Sequence, residues 1–320
     1  MPAKAKGKTA DTANDAETRR YRRALDALVE KLKEDRYILA AVLMGSLSYD
    51  QVWEKSDIDL LLVRDDGKKR DDDYCLVEDG IFIHASVVPR SLLKRSLDTQ
   101  LQGSFGHSAF SKGTLLFSRD PSIETWFENH QKVGTRDRQY QSLSVACGTV
   151  ACLAKAEKWY KVKKDYHYSF VWILYAVNNL AQIEVLSRGE VPTREVIQQA
   201  LAHDPNFFGE VYTRLIDAKK TPARIKKALD RINAYLDERA ETLFAPIIDY
   251  LKEEGEIRSN TEIEEHFRQA VRGANLTMAY EWLSQRGLIE QVSTPLRLTP
   301  KSRVTVEEAA FYYDADDPDW

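Results

Sequence analysis

Apolar residues in this chain recur with two different periods, and the change of period divides it. Over residues 18–36, Leu25, Leu28, Val29 and Leu32 fall on one helical face, which predicts an amphipathic helix. The run YILAAVLMGS that follows is short, apolar and closed by Gly-Ser. SDIDLLLVRDD predicts a strand, and DYCLVEDGIFIHASVV predicts two more joined by a Glu-Asp-Gly turn. Strands and helices alternate from about 18 to 130, so this part is α/β or α+β.

From about 136 to 255 the pattern is helical almost throughout. SLSVACGTVACLAKAEKWYK and YSFVWILYAVNNLAQIEVLS are apolar over wide faces, as the core helices of a bundle are. Gly189, Pro192, Pro205 and Pro222 punctuate it. From about 244 the rhythm changes again. LFAPIIDYLKEEG, NTEIEEHFRQAV and NLTMAYEWLSQRG predict three helices, the second opened by a cap at Thr261 and Glu264. LIEQVST and LRLTPKSRV then predict a β-hairpin. Three helices and a hairpin form the order of a winged helix-turn-helix. No internal repeat is present. The organisation predicted is a loose tail over 1–17, an α+β domain over 18–133, a helical bundle over 134–243, a winged helix over 244–313 and an acidic tail over 314–320.

Composition narrows the partners. The chain holds 46 basic and 50 acidic residues, for a formal net charge of −4, which excludes a protein coated on all sides by nucleic acid. A local basic patch stays open. Hydrophobic content of 43% and a mean hydropathy of −0.47 describe an ordinary globular chain. No run reaches the roughly 18 apolar residues of a membrane span, so no membrane partner is expected. Cys75, Cys147 and Cys152 lack metal-type spacing. Their low, odd number suits a reducing compartment, and a cytoplasmic location is expected. The N-terminus has no apolar h-region of a secretory signal.

The chemistry concentrates in one segment. Met44-Gly45-Ser46 is followed after ten residues by Asp57-Ile58-Asp59 and then Leu60-Leu61-Leu62-Val63. On a strand, alternate side chains share a face, so Asp57 and Asp59 point together, roughly 7 Å apart, while Ile58 enters the core. Paired carboxylates suit Mg²⁺, which binds through a few carboxylates plus phosphates, and two ions are conceivable there. Gly45 lets a phosphate approach the backbone. Ser46 offers a hydroxyl and an N–H, and a helix starting there would aim further N–H groups at a triphosphate.

This segment resembles the DNA polymerase β-like nucleotidyltransferase superfamily, marked by Gly-Ser, a spacer of this length, and Asp-x-Asp on a strand. The resemblance implies that Gly45 and Ser46 hold the phosphates of an NTP and that Asp57 and Asp59 bind the metal. TLLFSRDPSIETWFE looks like the strand and helix that close the domain in aminoglycoside- and lincosamide-type members. The whole chain looks like bacterial nucleotidyltransferase-like proteins with a helical substrate-binding domain and a terminal helix-turn-helix domain. In such proteins the helical domain would form the far wall of the acceptor site. One departure stands out. The family carries a third acid on a later strand, and the matching strand here, IFIHASVV, holds His84 instead. Alternation on 81–88 groups Phe82, His84, Ser86 and Val88 on one face and Ile81, Ile83, Ala85 and Val87 on the other. The second set is apolar and belongs in the core. His84 is therefore expected beside the Asp57/Asp59 site, where it serves as a base or marks a degenerate centre. Glu78 and Asp79, in the preceding turn, are out of phase.

Weaker candidates each have a plain structural alternative. Tyr160, Asp165, Tyr166, His167 and Tyr168 either hold an acceptor or form a solvated helix junction. Lys155 and Lys158 either reach phosphates or are solvated. His107 sits in a Gly/Ser-rich loop that either covers the site or is plain surface. In the winged segment Asn275, Thr277, Tyr280, Gln285 and Arg286 are candidate DNA readers, with Arg297, Lys301 and Arg303 on the wing. Glu262, Glu264, Glu265 and Glu281 lie alongside and repel phosphates. Two functions follow. One is Mg²⁺-dependent nucleotidyl transfer to a hydroxyl of a small molecule or protein. The other is a degenerate fold that binds nucleotide and engages DNA or a protein partner through residues 261–303.

Overall fold

Strand alternation decides the first sheet. In a computed structural model, residues 7–49, 56–67, 71–99, 113–129, 135–268, 270–271 and 274–314 are described, and the chain divides between Lys132 and Val133 into two units. The first unit is built from α1 (Gly7–Glu34), β1 (Ile38–Met44), β2 (Ile58–Arg64), β3 (Asp72–Glu78), β4 (Ile81–Pro89), α2 (Arg90–Thr99), β5 (Thr114–Ser118) and α3 (Pro121–Asn129). The strands form one mixed sheet in the order β3-β4-β2-β1-β5. β2 and β4 run parallel, and every other neighbouring pair is antiparallel.

The sheet is covered on both faces. Ile58, Leu60, Leu62, Ile81, Ile83, Ala85 and Val87 pack with Tyr21, Leu25 and Leu28 of α1. Ala40, Val42 and Val63 pack on the other side with Leu93 and Leu97 of α2 and Ile123 of α3. The β3–β4 hairpin turns at Asp79 and Gly80, whose φ values are 50° and 72°. Two consecutive left-handed residues make the turn that matches strand twist. Glu78 is therefore the last strand residue, not a turn residue, and it binds Lys31 of α1 at 2.7 Å. α1 begins at Gly7, inside the stretch expected to be a loose tail. Alanines at positions 10, 13 and 16, the strongest helix formers, extend the amphipathic helix backwards.

The second unit carries the long helices α4 (Thr135–Lys158) and α5 (Tyr166–Ser187), joined through a π-helical turn, Trp159–Lys163. Asp165 caps α5 by accepting from the Tyr168 N–H. The unit continues through α6 (Val196–His203), α7 (Pro205–Phe208), a second π turn (Gly209–Thr213), α8 (Arg214–Asp217), α9 (Pro222–Asp237), α10 (Ala240–Leu243) and α11 (Ala245–Glu254). α5 is long and apolar enough to cross a bilayer, but 56% of its apolar window is buried within the protein. Its one buried acid, Glu184, is satisfied by Arg188 at 2.7 Å and by the Tyr235 hydroxyl at 3.0 Å.

After α11 come β6 (Arg258–Ser259), α12 (Asn260–Phe267), α13 (Leu276–Ser284), β7 (Glu290–Leu296) and β8 (Val306–Tyr312), with sheet order β6-β8-β7. Two local expectations are corrected. The capping box of α12 is Ser259 with Glu262, because Thr261 is engaged by Glu308 of β8. The return strand of the hairpin is Val306–Tyr312 rather than LRLTPKSRV. Phe311 and Ala310 on that strand are wholly buried, whereas Pro300 interrupts the expected run and proline cannot donate to a ladder. Pro295 is tolerated because β7 is an edge strand. Arg297, Lys301 and Arg303 thus lie in the loop between the strands.

Leu143, Val177, Ile232, Phe244, Phe267, Tyr280 and Phe311 belong to one core. Packing therefore does not separate residues 134–243 from 244–313. Phe311→Ala should lower stability by about 3–5 kcal/mol, as other Phe truncations in cores do. Hydrogen exchange should register that loss in α4 and α5 as well as in β8. Loss confined to residues 258–312 would show instead that the terminal segment unfolds separately.

Candidate active site

Three adjacent strands meet at the candidate centre. Asp59 lies opposite Met44 of β1 on one side and opposite His84 of β4 on the other. Ile58, wholly buried on the α1 face, fixes the phase of β2. Asp59 must then project from the opposite face. β4 obeys the same alternation: Ile81, Ile83, Ala85 and Val87 are buried, and Phe82 and His84 are exposed.

The imidazole of His84 reaches Asp57, with Nε2 at 3.0 Å from Oδ2. Both side chains are about half exposed, at 54% and 50%. The contact brings together two residues that the sequence separates by a strand and a hairpin. An ionised carboxylate only accepts hydrogen bonds. In this contact Nε2 therefore donates, and the lone pair of a neutral ring resides on Nδ1.

Gly45 ends β1 in a left-handed conformation, with φ of +73°. A Cβ placed there would stand 2.3 Å from Oδ2 of Asp59. Glycine is thus required twice: once for its backbone angle and once because the Asp59 carboxylate occupies the space of a side chain. The chain then enters a single 3₁₀ turn, Ser46–Tyr49. Leu47 anchors that turn in the α1-side core, and Ser48 closes it by donating its hydroxyl to the Gly45 carbonyl at 2.6 Å.

Tyr21 is not evident from the sequence as a site residue. Its hydroxyl donates to the Ser56 carbonyl at 2.7 Å, pinning the residue just before Asp57. Burial raises its pKa first, followed by the charge of Glu17; Arg20 opposes them, and Asp57 adds a smaller upward push. The only signal is that Tyr21 sits four residues before Leu25 on the apolar face of α1, which reads as core. His107 lies outside the described residues, as do residues 50–55 of the spacer.

The other candidates scatter. Asp165 is a helix cap, Tyr160 pairs with Tyr166 at 5.6 Å between ring centroids, and Trp159 with Tyr168 at 4.3 Å. The candidate DNA readers on α13 are largely committed elsewhere. Tyr280 is wholly buried, Asn275 caps the helix, and Thr277 is held by Asn260 and Glu264. Arg286 binds Asp237 and stacks on Trp282.

The Gly45–Asp59 contact has a built-in control. Gly80 has a similar φ of +72°, but a methyl group placed on its Cα would meet nothing within 4 Å. Gly80→Ala should cost only the left-handed strain of about 1–2 kcal/mol. Gly45→Ala should cost more, because the Asp59 carboxylate must also move. Urea unfolding of the two variants measures the difference, and equal losses would show that the carboxylate yields freely.

A family model described as Polymerase beta, Nucleotidyltransferase matches residues 26–122, which contain every residue of the centre except Tyr21. Over nearly its whole length the fold is similar to the crystal structure of a nucleotidyltransferase-like protein from Exiguobacterium sibiricum 255-15. That likeness covers 91% of this chain and 98% of the other, with a TM-score of 0.63 and 18% sequence identity. No protein of curated function matches the chain. The match supports a nucleotidyltransferase domain of the DNA polymerase β-like type at residues 26–122.

Proposed function

We propose that this protein transfers a nucleotide from an NTP to an acceptor hydroxyl. Asp57 and Asp59 hold Mg²⁺, Gly45 and Ser46 receive the phosphates, and His84 takes the proton of the acceptor. The observation that carries this reading is the 3.0 Å contact of His84 with Asp57, two positions before an Asp59 packed against Gly45.

The donor set suits Mg²⁺. This ion binds through one or two carboxylates and keeps water and substrate phosphates in its remaining positions. Among the described residues no group of three or more His, Cys, Asp or Glu forms a protein-only metal cage. A shell completed by the nucleotide is consistent with that. When bound, the ion neutralises charge on the transferring phosphate and the leaving pyrophosphate. The chain's own residues do the rest. Tyr21 and Ile58 hold Asp57 and Asp59 in place, and Asp57 orients the imidazole. Nδ1 of His84 is then the atom left to accept the hydroxyl proton as oxygen attacks the α-phosphorus.

A second reading rests on the same position. An imidazole stands where the superfamily pattern has a third carboxylate, which favours a nucleotide-binding protein without turnover. In that reading residues 261–303 form a winged helix that docks a protein partner. The commitment of Tyr280, Thr277 and Arg286 to internal contacts argues against base reading by α13.

Calorimetry with each NTP should show Mg²⁺-dependent binding that Asp57→Asn with Asp59→Asn largely removes. Equal affinity with and without both metal and carboxylates would end either reading of the pocket. Label transfer from an α-labelled NTP then separates the two. For an enzyme, His84→Ala should lower turnover by roughly 10²–10⁴-fold, the usual loss for a general base, with a smaller effect on NTP affinity. For a degenerate site, His84→Asp should raise activity from none.

A further inference from the structure

The helical unit concentrates positive charge in two stretches. Residues 155–168 and 214–231 together hold twelve Lys or Arg and four Asp or Glu, in a chain whose net charge is −4. The fold brings the two stretches together. Asn233 of α9 donates to Glu157 of α4 at 3.2 Å, and Lys220 lies 4.3 Å from the ring centroid of Phe170 on α5.

Several of the acids in these stretches are already occupied. Glu157 binds Lys161 at 2.5 Å, Asp230 binds Lys226 at 2.6 Å, and Asp165 caps α5. Beside α8 and α9 opens a cleft of about 530 Å³ lined by Arg214, Arg224 and Lys227, with Glu210 as its acid. Glu210 already serves Lys227 at 2.6 Å and Arg231 at 3.7 Å. The hydrogen bond from Lys227 is the largest influence holding its carboxyl below the usual range, against some desolvation, with the charges of Lys227, Arg231 and Arg214 adding to it. The cleft keeps an excess of cations.

Aromatic rings flank the lysines of the first stretch and continue along α5. The π turn places Trp159 among Lys158, Lys161 and Lys163, and its ring meets Tyr168 at 4.3 Å. Tyr168 is 45% exposed, and Tyr175, two turns further along α5, is 56% exposed. Exposed rings between cations match the needs of an unpaired polynucleotide, whose phosphates seek charge and whose bases stack on aromatic faces. A duplex hides those base faces. A bilayer surface wants an amphipathic helix with an apolar face to insert, but these rings project from helices packed in a core.

We propose that the face formed by residues 155–168 and 214–231 binds single-stranded nucleic acid. Lysine and arginine track the phosphates, and Trp159, Tyr168 and Tyr175 stack bases. This is independent of the transferase reading: it involves neither the nucleotidyltransferase domain nor the α13 surface.

Fluorescence anisotropy of the full chain with labelled single-stranded RNA and DNA 20-mers, without NTP or Mg²⁺, tests the proposal. Affinity should fall with salt, with a log–log slope of about −0.7 per phosphate contacted. Lys158→Glu with Lys163→Glu, Lys219→Glu and Arg224→Glu should weaken binding at least tenfold and flatten that slope. All four side chains are exposed, and an unchanged circular-dichroism melt confirms that the variant folds. Tyr168→Ala with Tyr175→Ala, which alters no charge, should weaken binding about tenfold or more at constant slope. Arg297→Glu with Lys301→Glu and Arg303→Glu should leave binding intact. Several outcomes would overturn the proposal: binding lost only in that last variant, aromatic variants that bind normally, equal affinity for duplex, or capture by phosphatidylserine vesicles but not by oligonucleotides.

Discussion

The carboxylate of Asp59 lies where a side chain of residue 45 would be, and the candidate centre is built around that contact. For it to exist, β1 must end in a residue without Cβ, and the backbone must turn left-handed immediately after Met44. The same turn leads into the 3₁₀ segment whose Leu47 is buried under α1. Asp59 is held in turn by β2, where Ile58, Leu60 and Leu62 are committed to the α1 face. A carboxylate in the middle strand of a sheet is tolerable only at an end where solvent or a cation reaches it. Asp59 lies one residue into its strand.

This centre is legible in the sequence because its determinants are local and periodic. Gly45-Ser46, Asp57-x-Asp59 and the apolar run to Val63 are a matter of spacing, and strand alternation alone puts His84 on the face of the two acids. The Asp-Gly turn also declares itself. Tyr21 does not, because a tyrosine on an apolar helix face reads as core, and its hydroxyl acts through a backbone carbonyl 35 positions away. The start of α1 is hidden because polar residues obscure helix propensity at 7–17. The return strand is hidden because its pattern, VEEAAFY, alternates poorly. Only pairing with β7 and burial of Phe311 define it.

The terminal segment shows why element order is weaker evidence than packing. Its helices and strands come in the sequence expected of a winged helix, yet Phe267, Tyr280 and Phe311 share a core with the long helices of the bundle. The Tyr280 hydroxyl is buried without a partner among the described residues, and burial drives its pKa far above the ordinary tyrosine range. A residue spent in this way cannot read a base edge. Composition shows which residue types α13 carries, but not which way they face.

Register makes the His84–Asp57 contact depend on a turn far from it. The parallel pairing of β2 with β4 sets Asp59 opposite His84, and a slip of one residue would send His84 into the α1-side core and Ile83 to the surface. Two features hold β4 against such a slip. Leu76 of β3 is opposite Ile83 and Cys75 opposite His84, through a ladder that starts at the Asp79-Gly80 turn. Lys31 of α1 grips Glu78 at the end of that ladder. The helix that braces Asp57 through Tyr21 therefore also holds the hairpin that delivers His84. One helix positions both partners of the contact, although neither lies on it.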